Sequence, residues 1–356
     1  MHNTRTLPAL RKPGFSPIAL TSQTSSPSLH GSRDLPFQSF AFGLRLSSNV
    51  AVPGLNSVAL HLQPEVSFTL GSLPFDLESR EEEEEELFLR SPEEGDGELN
   101  LRVWRSTSAG HYRLRYQDGT EFVVSGDGDA VWGIWPDVMT LEDTATYLLG
   151  PVMGLVLRLR GTVCLHAAAV QIDRSLAVFA GSAGAGKSSL SATFALAEYP
   201  VSGDDVLPII KCGQDFLACA AYSRIRLWPD SAKALCGNEE KLPRLTPTWD
   251  KRYLPVDGNG RRLIKGYQPV GAIYVLAQSE EDTRFERLGA RDSLLALVGN
   301  TYANYLLDSE MRTEELMFLS GLIGRVPVFS LSMYRDLGRL RDNAELIAQH
   351  FRERVS

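Results

Sequence analysis

Leu176-Ala177-Val178-Phe179-Ala180-Gly181-Ser182-Ala183-Gly184-Ala185-Gly186-Lys187-Ser188-Ser189 is the stretch that decides the fold. Its apolar opening predicts a strand buried on both faces. Gly181 to Ser188 then match the G-x-x-x-x-G-K-[ST] pattern of a phosphate-cradling loop that leads into a helix. Glycine at 181, 184 and 186 lets successive backbone N–H groups turn inward at the positive end of that helix. The backbone of Gly181, Ser182, Ala183, Gly184, Ala185 and Gly186 is therefore expected to hold phosphate oxygens, and Lys187 to reach the β and γ phosphates. The Ser188 hydroxyl is expected to ligate Mg²⁺, with Ser189 a substitute that falls out of register. The bland alternative, a glycine-rich turn, is disfavoured by the strand before and the helix after. The cofactors expected are ATP and Mg²⁺, and a GTPase switch is disfavoured, because no Asn-Lys-x-Asp guanine-reading motif occurs in the chain.

A phosphate loop names no reaction, so the neighbouring polar residues matter. His166 precedes Gly181 by fifteen residues, and Asp204 and Asp205 follow it by twenty-three and twenty-four. One helix of ordinary length separates loop and carboxylates, which carries the pair to the carboxyl edge of the sheet, where ligands bind in open α/β folds. Adjacent residues on a strand face opposite ways, so one aspartate is expected to serve Mg²⁺ and the other a different group. An acid beside the γ-phosphate can accept the proton of an incoming hydroxyl. Against this, Gly-Asp-Asp is also ordinary turn chemistry, and a histidine on an apolar strand is usually a satisfied core residue.

His166-Ala-Ala-Ala-Val, the loop Gly181 to Ser189, and Ser202-Gly-Asp204-Asp205-Val together resemble the catalytic core of HPr kinase/phosphorylase. The resemblance covers Gly161 to Asp205 well and is patchy afterwards. It implies an α/β P-loop kinase domain of the HPr kinase type, with Asp204 as general base for a serine hydroxyl, Asp205 organising the metal–phosphate site, and His166 lining it. The family's later glycine-rich segment with a metal-supporting glutamate has no counterpart here. Arg224-Ile-Arg226-Leu-Trp228-Pro-Asp230 stands there instead and, with Lys251-Arg252-Tyr253-Leu254-Pro255, is closer to the HPr-kinase-like proteins of peptide-modification clusters, including the lasso-peptide precursor kinase type. That likeness implies a peptide or small-protein acceptor bearing a hydroxyl, and a homo-oligomer, since HPr kinases are hexamers. Arg226, Lys251 and Arg252 are candidate cations for the γ-phosphate or an acceptor carboxylate. Asp230 is either an acidic metal helper or the N-cap of a helix from Ser231, and Trp228 is expected to anchor that turn in the core. The rival to a kinase is a nucleotide-gated binding or scaffold protein that moves no phosphate.

The remainder of the 356 residues gives the frame. Residues 1–35 are rich in Ser, Thr and Pro and predict a disordered extension. Residues 36–140 predict a mostly antiparallel β-rich module, from Phe40 to Leu46, Val58 to Leu62 and Val66 to Leu70 through to Ala130 to Ile134. Within it, residues 76–98 form an acidic insertion of charge −10, although the whole chain carries only −8. Its hexaglutamate run, Glu81 to Glu86, predicts a solvated loop or frayed helix. Residues 141–160 predict one connecting helix, and 161–356 the kinase-like domain. The four cysteines show no metal or disulfide spacing. With 43% hydrophobic residues and no apolar run of membrane length, a cytoplasmic protein without membrane or nucleic-acid partners is expected.

Overall fold

A computed structural model of the chain describes residues 35–59, 62–74, 85–90, 101–106, 110–279, 282–334 and 336–355, and all statements below concern these. The N-terminal extension and most of the acidic insertion lie outside them. No described helix is long and apolar enough to cross a membrane.

Eight short strands build the first sheet. They are β1 (Phe37–Ala41), β2 (Leu44–Ser48), β3 (Val66–Leu70), β4 (Glu85–Arg90), β5 (Arg102–Ser106), β6 (Tyr112–Arg115), β7 (Glu121–Val124) and β8 (Ala130–Ile134). They lie in the order β1-β2-β3-β8-β7-β6-β5-β4. All neighbours are antiparallel except β2–β3 and β3–β8, which run parallel. No strand forms at Val58. Conversely, the last two glutamates of the acidic run, Glu85 and Glu86, belong to β4 rather than to a loop. The apolar Leu87-Phe88-Leu89 that follows explains this, since Phe88 packs edge-on against Tyr112 at 5.7 Å and ties the segment to the sheet.

The single helix expected over 141–160 is broken in two, α1 (Leu141–Tyr147) and α2 (Met153–Leu159), with a π turn between. Gly150 leaves helical geometry, and Pro151 has no N–H to continue the ladder. Both helices share one core with the first sheet. Leu46, Phe68, Leu114 and Phe122 from the strands meet Tyr147 of α1, Leu148 of the π turn, and Met153 and Leu155 of α2, and Cys164, Val206 and Tyr222 join them from the second half of the chain.

That second half is organised by two long strands, β9 (Val163–Ile172) and β15 (Gln268–Ser279). Between them come β10 (Ser175–Ala180), β11 (Val206–Cys212), β12 (Asp215–Ala218), β13 (Arg224–Leu227) and β14 (Arg252–Pro255), and after them β16 (Arg284–Arg287) and β17 (Val328–Tyr334). β9 pairs with β10 along its second half and with β11 along its first. β15 pairs with β12 at its start, then with β10 and β17 in parallel. Five strands, β9-β10-β15-β12-β11, thus close into a ring, and β17 and β16 extend it on one side. β13 and β14 form a separate two-stranded ribbon.

Alternation along β10 feeds two cores. Leu176, Val178 and Ala180 face one with Leu165 and Ile273, while Ala177 and Phe179 face the other. α3 (Lys187–Leu196) and α7 (Leu340–Val355) cover the second core, and α5 (Ala290–Gly299) and α6 (Ser309–Ile323) cover the first. α4 (Pro229–Cys236) follows β13 directly.

Candidate functional site

Gly181 to Gly186 connect the end of β10 to the first residue of α3. Gly181, Gly184 and Gly186 all have positive φ, at 157°, 76° and 100°. At Gly184 and Gly186 that left-handed geometry is available to glycine with little strain, so the turn can coil around a small anion. Lys187 is 5% exposed, and its ammonium folds back over the loop to donate to the carbonyls of Gly181 at 2.6 Å and Ser182 at 3.0 Å. Burial lowers its pKa to about 8, against an opposing pull from Asp204. Ser189 is buried and donates to the Ser231 hydroxyl at 2.9 Å, joining α3 to α4 and leaving Ser188 as the hydroxyl turned to the carboxylates.

The carboxylates arrive on a bulge. Val201 bridges Val170, while Val206 pairs with His166. The 201–206 segment therefore carries one residue more than the strand across from it. Gly203 and Asp205 absorb the excess with positive φ of 88° and 65°. A Cβ at Gly203 would sit 2.2 Å from the Tyr222 carbonyl oxygen, so only glycine fits. The bulge undoes the expectation that adjacent aspartates face opposite ways. Asp204 and Asp205 both meet the guanidinium of Arg226, Asp204 at 3.6 Å and Asp205 in direct contact.

Their environments nonetheless differ. Asp204 is 2% exposed, and both its oxygens are engaged: Oδ1 accepts from the Ser188 hydroxyl at 2.8 Å, and Oδ2 accepts from the Arg226 backbone N–H at 3.1 Å. Asp205 has a side chain 27% exposed and lies 3.4 Å from Nε2 of His166. Burial, reinforced by Lys187, Arg226 and Lys251 and opposed by Asp204, lowers the His166 pKa to about 4. The imidazole is therefore neutral at neutral pH, and its contact with Asp205 is a neutral polar one rather than an ion pair. The sheet explains the convergence: β10 ends opposite Ala167 and β11 begins opposite His166, so loop, histidine and aspartates meet at one point of β9.

Of the remaining candidates, Arg226 lies within the site but is committed to the aspartates. Lys251 is near enough to act on His166, and its ammonium rests 4.5 Å from the Trp228 ring. Arg252 sits in the ladder opposite Leu227, on the other face from Arg226, and donates to the Leu242 carbonyl at 3.4 Å. It is not brought to the loop. Asp230 neither caps α4, where Trp228 occupies the cap position, nor is buried; it is an exposed residue of the first turn behind Pro229. Trp228 is 59% exposed instead of anchored in the core. Sequence reasoning missed Tyr302, which stands edge-on to His166 at 6.0 Å, and Asp143, whose Oδ1 accepts from the Thr248 hydroxyl at 2.5 Å. A Thr-x-x-Asp capping pattern at Thr140 to Asp143 was the available signal for the second.

The residues fit a metal–triphosphate. The loop supplies backbone donors and an ammonium, and the Ser188 hydroxyl and Asp204 carboxylate are hard oxygen donors already in contact, as Mg²⁺ requires of one or two protein ligands. Among the described residues no group of three or more His, Cys, Asp or Glu side chains forms a metal site independent of nucleotide.

No family model matches the chain, and no curated protein matches it. Among solved structures it is similar to the Hpr(Ser) kinase/phosphatase from Coxiella burnetii, with 14% identity over 53% of this chain and 97% of that one, at a TM-score of 0.30. A likeness that slight carries no chemistry, and the functional reading rests on the side chains described above.

Proposed function

We propose that this chain is an ATP-dependent phosphotransferase that moves the γ-phosphoryl group to a hydroxyl, with a peptide or small protein as acceptor. The observation that carries the reading is the Ser188 hydroxyl donating to Asp204, because it joins the phosphate loop to the carboxylate pair across the mouth of α3. Lys187 and the amides of Gly181 to Ser188 would hold the phosphates. Ser188 and Asp204 would hold Mg²⁺, which when bound neutralises charge on the phosphoryl oxygens.

Sequence reasoning gave the base to Asp204 and the metal to Asp205; the geometry supports the reverse. Asp204 is buried, and each of its oxygens already accepts a hydrogen bond, which suits it to hold a metal rather than to meet an incoming alcohol. Asp205 is partly open and flanked by a neutral imidazole. Its carboxylate would accept the acceptor's proton as the new O–P bond forms and the bond to the ADP oxygen breaks. Arg226 holds Asp205 in place between turnovers.

The two single-amide variants test this. Asp205→Asn should bind Mg–ATP within a few-fold of the parent and lose about 10²–10⁴-fold in ADP formation. Asp204→Asn should instead lose the Mg²⁺-dependent part of nucleotide affinity. Asp205→Asn with full turnover, or Asp204→Asn with undiminished Mg²⁺ dependence, would refute the assignment.

A further inference from the structure

The C-terminal half of α3 and the first half of α7 leave a groove between them. A cavity of about 340 Å³ opens there, walled by the buried Phe194, Ala344 and Ala348 and edged by Leu196, Arg341 and Glu345. A smaller one of about 110 Å³ adjoins it and reaches Leu235 of α4 and the turn at Leu337-Gly338. Thr193, Leu196 and Arg341 line both and so mark the junction. The larger volume falls at the low end of the range that small-molecule sites enclose. Leu196, at the junction, remains 37% exposed, an apolar side chain left to solvent in a concave place.

The charges of the groove form a pair that does not meet. Arg341 and Glu345 stand one turn apart on one face of α7, with the cation first, the less favourable order for an i, i+4 ion pair. Neither has a salt bridge or a hydrogen-bond partner among the described residues. Arg352, further along α7, is by contrast committed to the Tyr199 hydroxyl at 3.2 Å and to Asp173 at 3.4 Å.

These features select a ligand by exclusion. An anion that reached Arg341 would face the Glu345 carboxylate, a cation would face the guanidinium, and an uncharged apolar molecule would gain nothing from either. A zwitterion with an apolar body suits all three surfaces. Its direction follows too. Arg341 lines both cavities, which puts the carboxylate at their junction. Glu345 lines the larger one alone, where the carboxyl end of α3 at Ala197 adds the negative end of a helix dipole and favours an ammonium.

We propose that this groove is a binding site for a free α-amino acid with an apolar side chain. The carboxylate meets Arg341, the ammonium meets Glu345, and the side chain covers Phe194, Ala344 and Ala348. Thr193 lies about two turns along α3 from Lys187, so the site is separate from the phosphate loop and stands whether or not phosphate moves.

Calorimetric titration of the full chain with L-leucine and L-phenylalanine tests this. Three controls accompany them: isocaproate, which is leucine without its ammonium, isoamylamine, which is leucine without its carboxylate, and glycine, which keeps both charges and lacks the side chain. Leucine should bind about tenfold more tightly than each control, as loss of one charge-assisted contact or of the apolar side chain implies. Arg341 and Glu345 are exposed, so their variants carry little risk to folding. In Glu345→Gln the preference for leucine over isocaproate should drop to about one, and in Arg341→Met the preference over isoamylamine should do the same. A preference unchanged in its variant, equal binding of leucine and its single-charge controls, or no binding of leucine and phenylalanine up to about 10 mM overturns the site. Leucine should also bind when Mg²⁺ and a non-hydrolysable ATP analogue are present, and its displacement by the analogue would place it at the loop and equally overturn the assignment.

Discussion

Raising the pH should weaken nucleotide binding and stabilise the empty protein at once, and both effects trace to Lys187. Burial under the loop, opposed in part by Asp204, takes its pKa from 10.5 to about 8. A polyphosphate binds the charged form, so affinity falls by about a decade per pH unit once the pH passes the empty-site value. At pH 9 about one site in ten is protonated before binding, and affinity for Mg–ATP should be about tenfold below that at pH 7. Folding responds with the opposite sign. The folded value lies below the unfolded one, so between about 8 and 10.5 the unfolded chain holds more protons and stability rises with pH. The whole effect of that lysine is on the order of 3 kcal/mol. Calorimetric titration at pH 7 and pH 9, in buffers of different ionisation enthalpy, reads both affinity and proton uptake, which should approach about 0.9 per nucleotide at pH 9. Thermal melts of the empty protein and of Lys187→Met isolate the lysine's share from other titrating groups. Flat affinity between pH 7 and pH 9 with no proton uptake would refute the argument.

Other outcomes follow from the same geometry. Gly203→Ala adds left-handed strain and a clash with the Tyr222 carbonyl, and should cost about 3 kcal/mol in denaturant unfolding. An unchanged midpoint would mean the bulge is not as described. Asp143→Ala removes a capping box and the Thr248 tether, and should cost about 2 kcal/mol. Burial alone would raise the Asp143 pKa, but hydrogen bonds from Thr140 and Thr248 outweigh it and lower the value. Its stabilisation is therefore present above the unfolded 3.8 and lost as the pH falls through the lower folded value, a step that acid melts of the alanine variant should lack. His166, with a pKa of about 4, should contribute no inflection near 6.5 to the pH dependence of kcat/KM. An inflection there that vanishes in His166→Gln would contradict a neutral imidazole.

The glycine-rich turn between β10 and α3 was legible because its pattern is local: spacing of glycine, lysine and serine specifies backbone geometry without help from distant residues. The helix break at Gly150-Pro151 was equally local and was outweighed by the apolar stripe around it. The bulge was not legible, because it is a mismatch in count between 201–206 and the part of β9 across from it, and no single stretch records both. The roles of Arg226 and Arg252 depended on which face of the β13–β14 ribbon each occupies, and strand phase cannot be read until the partner strand is known. Trp228 was expected inside because tryptophan usually is; its exposure follows from its place at the cap of α4, on the open end of that ribbon.

The fate of the γ-phosphorus of ATP tests the central claim most directly. Incubating the protein with Mg–ATP and hydroxyl-bearing peptides, followed by ³¹P NMR, should convert the γ resonance to the phosphomonoester of a peptide, and Asp205→Asn should slow the conversion by about 10²–10⁴-fold. Tight, Mg²⁺-dependent nucleotide binding with the γ resonance unchanged after prolonged incubation would contradict the account and identify a nucleotide-gated binding protein instead.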